Sequence, residues 1–217
     1  MSKAIQKPKV SGNETSSRAE ASDEELLARY CAGGDRDAFT ELVKRYEREL
    51  YSYLRRYLGD ATLAEDAFQG TFLQVHLKCE QFEEGRKVRP WLYTIATNQA
   101  IDTQRRNKRH RNVSLDRSAK RENSDDLGSL IDLLVSKEPD PESRLDAAQR
   151  GEWIREAVEQ LPEQLRAAID LVYYQGFKYR EAADILGIPV GTVKSRLHAA
   201  ILKLNEAWMQ TQSSPHD

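Results

Sequence analysis

The stretch Phe177–Leu197 reads FKYREAADILGIPVGTVKSRL and decides the fold of the C-terminal part of the chain. Two segments with helical periodicity flank a turn at Gly187, and the alanines at 182 and 183 are small enough to let two helices approach closely. Pro189 ends the first helix and is well placed to begin the second. The pattern predicts a helix-turn-helix. The alternative is an ordinary helical hairpin with a solvated charged face.

The second helix of this pair has one apolar and one polar side. At 100° per residue, its apolar side carries Val193, Leu197, Ala200, Ile201, Leu204 and Trp208. Small polar residues face the other way, with basic residues beside them, which suits entry into a DNA major groove. The residues that we expect to contact DNA are Thr192, Lys194, Ser195, Arg196 and His198. For His198, a plain exposed histidine is an equally good interpretation.

Helical periodicity also dominates the rest of the chain. Apolar residues recur every three or four positions from Asp23 onward, glycines separate the periodic segments, and no strand-length segment alternates. The sequence predicts an all-α fold with two small helical domains, at 23–112 and 149–209. We expect a flexible linker at 113–148, a disordered tail at 1–22 and a short tail at 210–217.

Composition narrows the class of protein further. The chain has 217 residues, of which 31% are charged and 39% hydrophobic, and no apolar stretch is long enough to span a bilayer. No secretory signal is visible, and two cysteines cannot make a disulfide framework. These features predict a soluble cytoplasmic chain without membrane insertion.

The formal net charge of −2 hides a segregation of charge. Residues 105–121 hold eight Lys/Arg against one acid, whereas residues 122–146 hold eight acids against two bases. A basic block of this kind can dock a polyanion although the total charge argues against it. The acidic stretch also suggests the hypothesis that the linker competes with DNA for the basic block.

A second motif lies on the helix predicted to begin at Pro90. One line along this helix changes from apolar to polar, because it reads Trp91, Ile95, Asn98, Asp102, Arg105. Amides and carboxylates can address base edges, aromatic rings can stack on unpaired bases, and cations follow phosphates. This predicts a nucleic-acid surface. The alternative is that Asp102 only pairs with a nearby arginine at helical spacing and that Trp91 belongs to the core.

Motifs in a fixed order resemble the extracytoplasmic-function (ECF) branch of bacterial sigma factors. In the first predicted domain they are DAFTELV at 37–43, AEDAFQGTF at 64–72 and RPWLYTIATN at 89–98. In the second they are LPEQLR at 161–166, GFKYREAA at 176–183 and LGIPVGTVKSRL at 186–197. The resemblance covers about residues 23–111 and 149–208.

The resemblance implies a division of labour between the two domains. The first would be a region 2 domain that binds core RNA polymerase through Asp66, Gln69, Thr71 and Phe72. It would read and open the −10 promoter element with the 80–89 loop and with Asn98, Asp102, Arg105, Arg106, Lys108 and Arg109. The second would be a region 4 domain that reads the −35 duplex. Promoter DNA and an anti-sigma factor are further expected partners.

One departure from the family's pattern concerns the recognition helix. Ala199 and Ala200 stand where members often carry an arginine, so a phosphate or base contact is expected to be missing there.

Other function classes find less support in the residues. His76 and Cys79 lie one helical turn apart, but no second pair of ligands completes a metal site, so neither a metal nor a cofactor is expected. No phosphate loop or nucleophile elbow indicates an enzyme. The runner-up is a free-standing helix-turn-helix regulator that binds duplex DNA, and an adaptor that only binds polymerase is a third possibility.

Overall fold

The computed structural model describes residues 21–83, 85–111 and 143–213, with side chains described except at 108–111, 143–150 and 212–213. Within these ranges the fold is all-α, as predicted, and no strand occurs. The helices are α1 (Asp23–Gly33), α2 (Arg36–Leu58), α3 (Ala61–Lys78), α4 (Val88–Arg111), α5 (Ser143–Glu159), α6 (Glu163–Ile169), α7 (Tyr179–Leu186) and α8 (Val190–Ser213). A 3₁₀ turn (Cys79–Gln81) follows α3, and one π-helical turn (Asp170–Tyr174) follows α6.

The first domain contains α1 to α4, and local capping sets its helix ends. The Ser22 hydroxyl accepts a hydrogen bond from Glu25 N at 3.2 Å, and the Glu25 carboxylate accepts one from Ser22 N at 2.8 Å. This capping box starts α1. Gly59 ends α2 at a φ of +71°, a left-handed conformation that glycine adopts without strain.

The core of the first domain lies between α2, α3 and α4. Tyr53 and Tyr93 are fully buried there, and the Tyr53 hydroxyl lies 2.8 Å from that of Thr97. Helices α3 and α4 approach closely at Gly70, where a Cβ atom would lie 2.8 Å from Gln99 Oε1. This crossing fixes which side of α4 is buried and therefore which side faces outward.

The second domain contains α5 to α8 and includes the predicted helix-turn-helix. Helix α7 ends at Gly187, whose φ is +63°, and Ile188 N then bonds to Ala183 O at 3.0 Å. These features form the turn that directs α8 across α7. The rings of Trp153 on α5 and Trp208 on α8 meet edge to face, with centroids 4.8 Å apart.

Several predicted boundaries differ from those in the structure. Helix α4 begins at Val88 rather than at Pro90, because Glu24 Oε1 accepts a hydrogen bond from Val88 N at 3.1 Å and so satisfies its first turn. Helix α5 begins at Ser143, inside the range predicted as linker, and α8 extends to Ser213, beyond the predicted end at 209. The basic and acidic blocks lie largely outside the described residues, as do the tail at 1–20 and the end at 214–217.

The two domains pack against each other, which the sequence analysis did not predict. Helix α7 lies on α4, and the π-helical turn lies against the end of α2. Arg56 forms an ion pair with Asp170 across this contact, and the rings of Tyr93 and Phe177 lie 4.9 Å apart.

Candidate nucleic-acid interface

The polar line predicted on α4 faces outward. Asn98, Asp102, Arg105 and Arg106 are all exposed on this helix. Its opposite side is buried in the first domain, as at Ala96, Thr97 and Ala100. The line is therefore a surface with hydrogen-bonding groups along its length, which is the arrangement that reading base edges requires.

Contacts within the line leave these groups available. Arg105 Nη1 lies 3.9 Å from Asp102 Oδ1, and the two side chains are 71% and 58% exposed. Arg106 Nε donates to Asp102 O at a long 3.4 Å. An ion pair this long and this exposed contributes little to stability. Pairing with Arg105, the alternative interpretation, therefore leaves the Asp102 carboxylate available to a ligand. Lys108 and Arg109 continue the helix, but their side chains lie outside the described residues.

The aromatic end of the line is half-buried. Trp91 packs against Phe82, with ring centroids 4.9 Å apart. Because Phe82 belongs to the loop before α4, this contact joins the predicted −10 loop to the helix. Trp91 also packs against the core of the first domain, as the alternative interpretation of this motif predicted.

The N-terminal part of α8 presents the predicted recognition residues unequally. Lys194 and Ser195 are exposed, whereas Thr192 and His198 are partly covered. The Ser195 hydroxyl donates to Thr192 O at 3.1 Å, a bond that DNA acceptors can replace. The opposite side of the helix is buried, at Val193, Leu197, Ala200, Ile201 and Leu204.

Arg196 has a position that the sequence did not indicate. Its Nη2 donates to Gln164 Oε1 at 3.2 Å, and it lies beside Tyr57 of the first domain. Burial lowers the pKa of its guanidinium, and burial of Tyr57 raises the pKa of that phenol to about 12. Arginine stays charged at neutral pH despite such a shift. The side chain is thus a half-buried cation at the contact between the domains.

The residues predicted to bind polymerase divide into two groups. Asp66 and Gln69 are exposed on α3. Thr71 and Phe72 are buried, because the Thr71 hydroxyl donates to Ala67 O and the Phe72 ring packs in the core. In this conformation the latter two support the helix and present no surface to a partner.

Two exposed apolar side chains near Asp66 and Gln69 were not among the residues predicted to bind polymerase. Leu73 is 57% exposed and Leu77 is 61% exposed, on a helix whose other apolar residues are largely buried. Leu73 lines a groove of about 730 Å³ between α3 and α4, together with Asp66, Gln69, Gln99 and Arg106. Helical periodicity alone does not separate the buried apolar residues of α3 from these two exposed ones.

No other kind of site emerges in the described ranges. Among residues 21–83, 85–111 and 143–213, no group of three or more His, Cys, Asp or Glu side chains is placed to hold a metal ion. His76 Nδ1 instead lies 2.6 Å from the hydroxyl of Tyr30. Within the same part of the chain, no helix combines the length and the apolar character that crossing a bilayer demands.

Comparison with known proteins identifies the two domains. Residues 42–110 match the family model of sigma-70 region 2, and residues 151–204 match that of sigma-70 region 4. The first match contains α4 with its polar line. The second contains the helix-turn-helix.

Curated relatives match over most of the chain. The ECF RNA polymerase sigma factor SigW of Bacillus subtilis is 34% identical over 165 residues, covering 76% of this chain and 86% of the relative. The ECF sigma factor SigM of Mycobacterium tuberculosis is 34% identical over 187 residues, covering 86% of this chain and 85% of the relative.

Solved structures share the fold. The sigma factor RpoE of Bartonella quintana, in complex with the anti-sigma factor NepR, has a TM-score of 0.54 at 25% identity. That match covers 77% of this chain and 94% of the other. CnrH, in complex with the cytosolic domain of CnrY, has a TM-score of 0.57 at 23% identity, covering 88% and 99%. With both domains matched in order and relatives aligned along nearly their whole length, the chain belongs to the ECF family of RNA polymerase sigma factors.

Proposed function

We propose that the exposed line of α4 reads and opens the −10 promoter element. Asn98 and Asp102 offer hydrogen bonds to base edges, and Arg105 and Arg106 offer cations to the backbone. Opening the duplex needs no catalytic chemistry, because bases held outside the stack offset a loss of a few kcal/mol per flipped base. Lys108 and Arg109 would extend the cationic track.

The start of α8 is proposed to read the −35 duplex in the major groove. Lys194 and Ser195 are exposed for direct contact, and Thr192, Arg196 and His198 lie next to them on the same helix. Short polar side chains let the helix approach the bases, and the flanking cations reach phosphates or guanine edges.

The polymerase-facing surface is proposed to comprise Asp66, Gln69 and Leu73. These three side chains line one groove between α3 and α4. An exposed leucine rimmed by polar groups is typical of a protein interface. Thr71 and Phe72 would hold this helix in shape from the core.

One observation carries the proposal: each domain presents its own outward surface of the kind that binds nucleic acid, on helices from regions 2 and 4. A chain of this design acts in the cytoplasm with core RNA polymerase, where it selects promoters and performs no chemistry of its own. An anti-sigma factor is a further proposed partner, since the related RpoE and CnrH were solved with such partners or with a partner's cytosolic domain.

Reconstituted transcription tests the proposal. Core polymerase with this chain is expected to initiate at promoters that carry both elements, and core polymerase alone is not. A free-standing regulator would instead bind one duplex site tightly without polymerase. Specific duplex binding by the chain alone, together with no polymerase-dependent transcript, would contradict the sigma factor assignment of these surfaces.

A further inference from the structure

The two cysteines of the chain, far apart in sequence, lie together at one end of the first domain. Cys31 is in the last turn of α1, and Cys79 begins the 3₁₀ turn that follows α3. These two elements pack against each other, and both cysteines are half-buried against the same core. The fold therefore brings the two thiols together and leaves them within reach of small molecules.

A hydrogen bond between neighbouring residues holds this end of the domain together. The hydroxyl of Tyr30, the residue before Cys31, lies 2.6 Å from Nδ1 of His76, which is one helical turn before Cys79. The Tyr30 ring also stacks on that of Phe39, with centroids 4.3 Å apart. Contacts that do not involve sulfur thus position α1 against the end of α3.

The two thiols also interact directly. Burial, followed by a hydrogen bond with the Cys79 thiol, raises the pKa of Cys31 to about 12. After burial, both cysteines contribute to the raised pKa of Tyr30, so both lie close to that phenol. A thiol with so high a pKa stays protonated at neutral pH and is a poor nucleophile toward an oxidant. Cys79 is therefore the sulfur at which oxidation would begin.

Helix α1 contacts both ends of the 80–89 loop. At the end of the loop, Glu24 Oε1 accepts a hydrogen bond from Val88 N at 3.1 Å. At its start, Cys31 meets Cys79. A covalent bond between these two residues would fix the start of the loop to the same helix that already holds its end.

We propose that Cys31 and Cys79 form a peroxide-responsive thiol pair, whose disulfide ties α1 to the start of the 80–89 loop and restrains that loop. The Cys79 sulfur attacks one oxygen of hydrogen peroxide and the O–O bond breaks. This yields a sulfenic acid, while the hydroxyl that leaves takes the thiol proton and becomes water. The Cys31 sulfur then displaces the hydroxyl group from the sulfenic sulfur, and its proton leaves with that group as a second water.

The electrons balance in this sequence, because the two thiols together lose two electrons and the peroxide gains them. A disulfide in a reducing compartment is usually transient, as redox-sensing disulfides are. We therefore expect the bond to form under peroxide and to be reversed by thiol reductants.

Peroxide treatment of the full native chain tests the thiol pair. Both free thiols should be lost together in a chain that stays monomeric, and mass spectrometry of its peptides should show Cys31 joined to Cys79. Dithiothreitol should restore both thiols. Retention of both thiols, or disulfides that form only between chains, would overturn the proposal.

A displaced thiol provides the matched control. A chain with Leu77→Cys and Cys79→Ser still has two cysteines, but the second replaces a side chain that is 61% exposed on α3. We expect loss of the intrachain disulfide, because cysteines whose side chains point apart cannot be bridged without movement of the backbone. Circular dichroism before oxidation confirms that both chains are folded. Equal rates of intrachain oxidation in the two chains would contradict a thiol pair built by the fold.

Hydrogen exchange measures the restraint on the loop. Amides of the 80–89 loop are expected to exchange more slowly in the oxidised chain than in the reduced chain, whereas those of α7, in the other domain, should keep their rates. Unchanged exchange of the loop in a chain whose disulfide has been demonstrated would overturn the restraint.

The biological meaning of the pair rests on the proposed function. A chain oxidised and freed of peroxide before it meets core polymerase should open a promoter more slowly than the reduced chain, as followed by a fluorescent base analogue in the −10 element. Cys31→Ser should make the rate of opening insensitive to the same treatment. If the disulfide forms and slows loop exchange but promoters open at equal rates, the thiol pair stands and the assignment of this loop to −10 opening fails.

Discussion

Glu24, in α1, caps the helix that carries the predicted −10 surface. Its Oε1 accepts a hydrogen bond from Val88 N at 3.1 Å, 64 positions further along the chain. Lys87 Nζ lies 3.7 Å from the same oxygen. Helix α1 precedes the matched region 2 segment, which begins at residue 42, yet it determines where α4 starts.

Replacing Glu24 is therefore expected to weaken the first domain. Glu24→Ala leaves the first turn of α4 without its acceptor and should lower the free energy of unfolding by about 1 kcal/mol, as loss of a helix cap does. Urea unfolding followed by circular dichroism measures this. Glu47→Ala, at an exposed position on α2, serves as control and should change it by no more than about 0.5 kcal/mol. Equal effects would mean that the cap contributes nothing.

Arg196 is expected to determine promoter discrimination at the −35 element. Arg196→Ala in the polymerase complex should reduce discrimination between a cognate and an altered −35 sequence by about 1–3 kcal/mol. Competition between the two promoters in reconstituted transcription measures the difference. Lys203→Ala, an exposed site two turns further along α8, should leave it unchanged. A null result at Arg196 would mean that the recognition surface is misplaced.

Asp102 is expected to matter for DNA and not for folding. Its contact with Arg105 spans 3.9 Å between exposed side chains, so Asp102→Ala should change the free energy of unfolding by less than about 0.5 kcal/mol. Loss of a base-reading group should instead cost about 1–3 kcal/mol in discrimination at the −10 element. Binding of the polymerase complex to single-stranded −10 oligonucleotides measures the second effect. A large loss of stability without a change in discrimination would reverse this assignment.

Acidification is expected to favour closure, meaning the packing of the two domains against each other around Arg56 and Asp170. Burial, as the largest influence, raises the pKa of Asp170, and it outweighs the opposing effects of Arg56 and Arg166. Tyr53 and Tyr174, which also face this carboxyl, stay neutral across acidic and neutral pH because burial raises their pKa values. An acid with a raised pKa takes up a proton on closure, so closure gains as the pH falls through that raised pKa toward about 4 and loses that gain as the pH rises.

Energy transfer checks this sign between pH 7 and pH 4.5, with labels on cysteines that replace the exposed Glu47 on α2 and Leu202 on α8 in a chain whose Cys31 and Cys79 are serine. Asp170→Asn cannot titrate and should flatten the dependence. Glu49, which pairs with Arg89 at 3.3 Å near the contact, is present in both chains, so their difference isolates Asp170. A dependence that survives in Asp170→Asn would assign it to another group.

Much of the fold follows from local rules that the sequence displays. The glycines at 59, 176 and 187 end helical segments with positive φ values because only a residue without a side chain adopts that conformation cheaply. The polar half of α4 was predicted to face outward and does, since a helix of this length cannot bury charges without partners.

The contact between the domains was beyond the reach of the same reasoning. Arg56 and Asp170 are 114 positions apart and look like ordinary helix-surface charges. Helical periodicity predicts which face of each helix is buried. It does not predict which other helix covers that face where charged residues interrupt the apolar pattern. The burial of Thr71 and Phe72 was not predicted for a different reason. A sequence motif places residues on a helix, but it does not distinguish those that contact a partner from those that support the helix from the core.

The edge-to-face pair of Trp153 and Trp208 gives the molecule a built-in optical probe. The chain has three tryptophans, and the third, Trp91, lies beside Phe82 in the other domain. Trp91→Phe would leave all indole emission in the domain matched to region 4, and Trp153→Phe with Trp208→Phe would leave it in the domain matched to region 2. Unlabelled protein could thus show, during a single denaturant titration, whether the two halves melt together or one after the other.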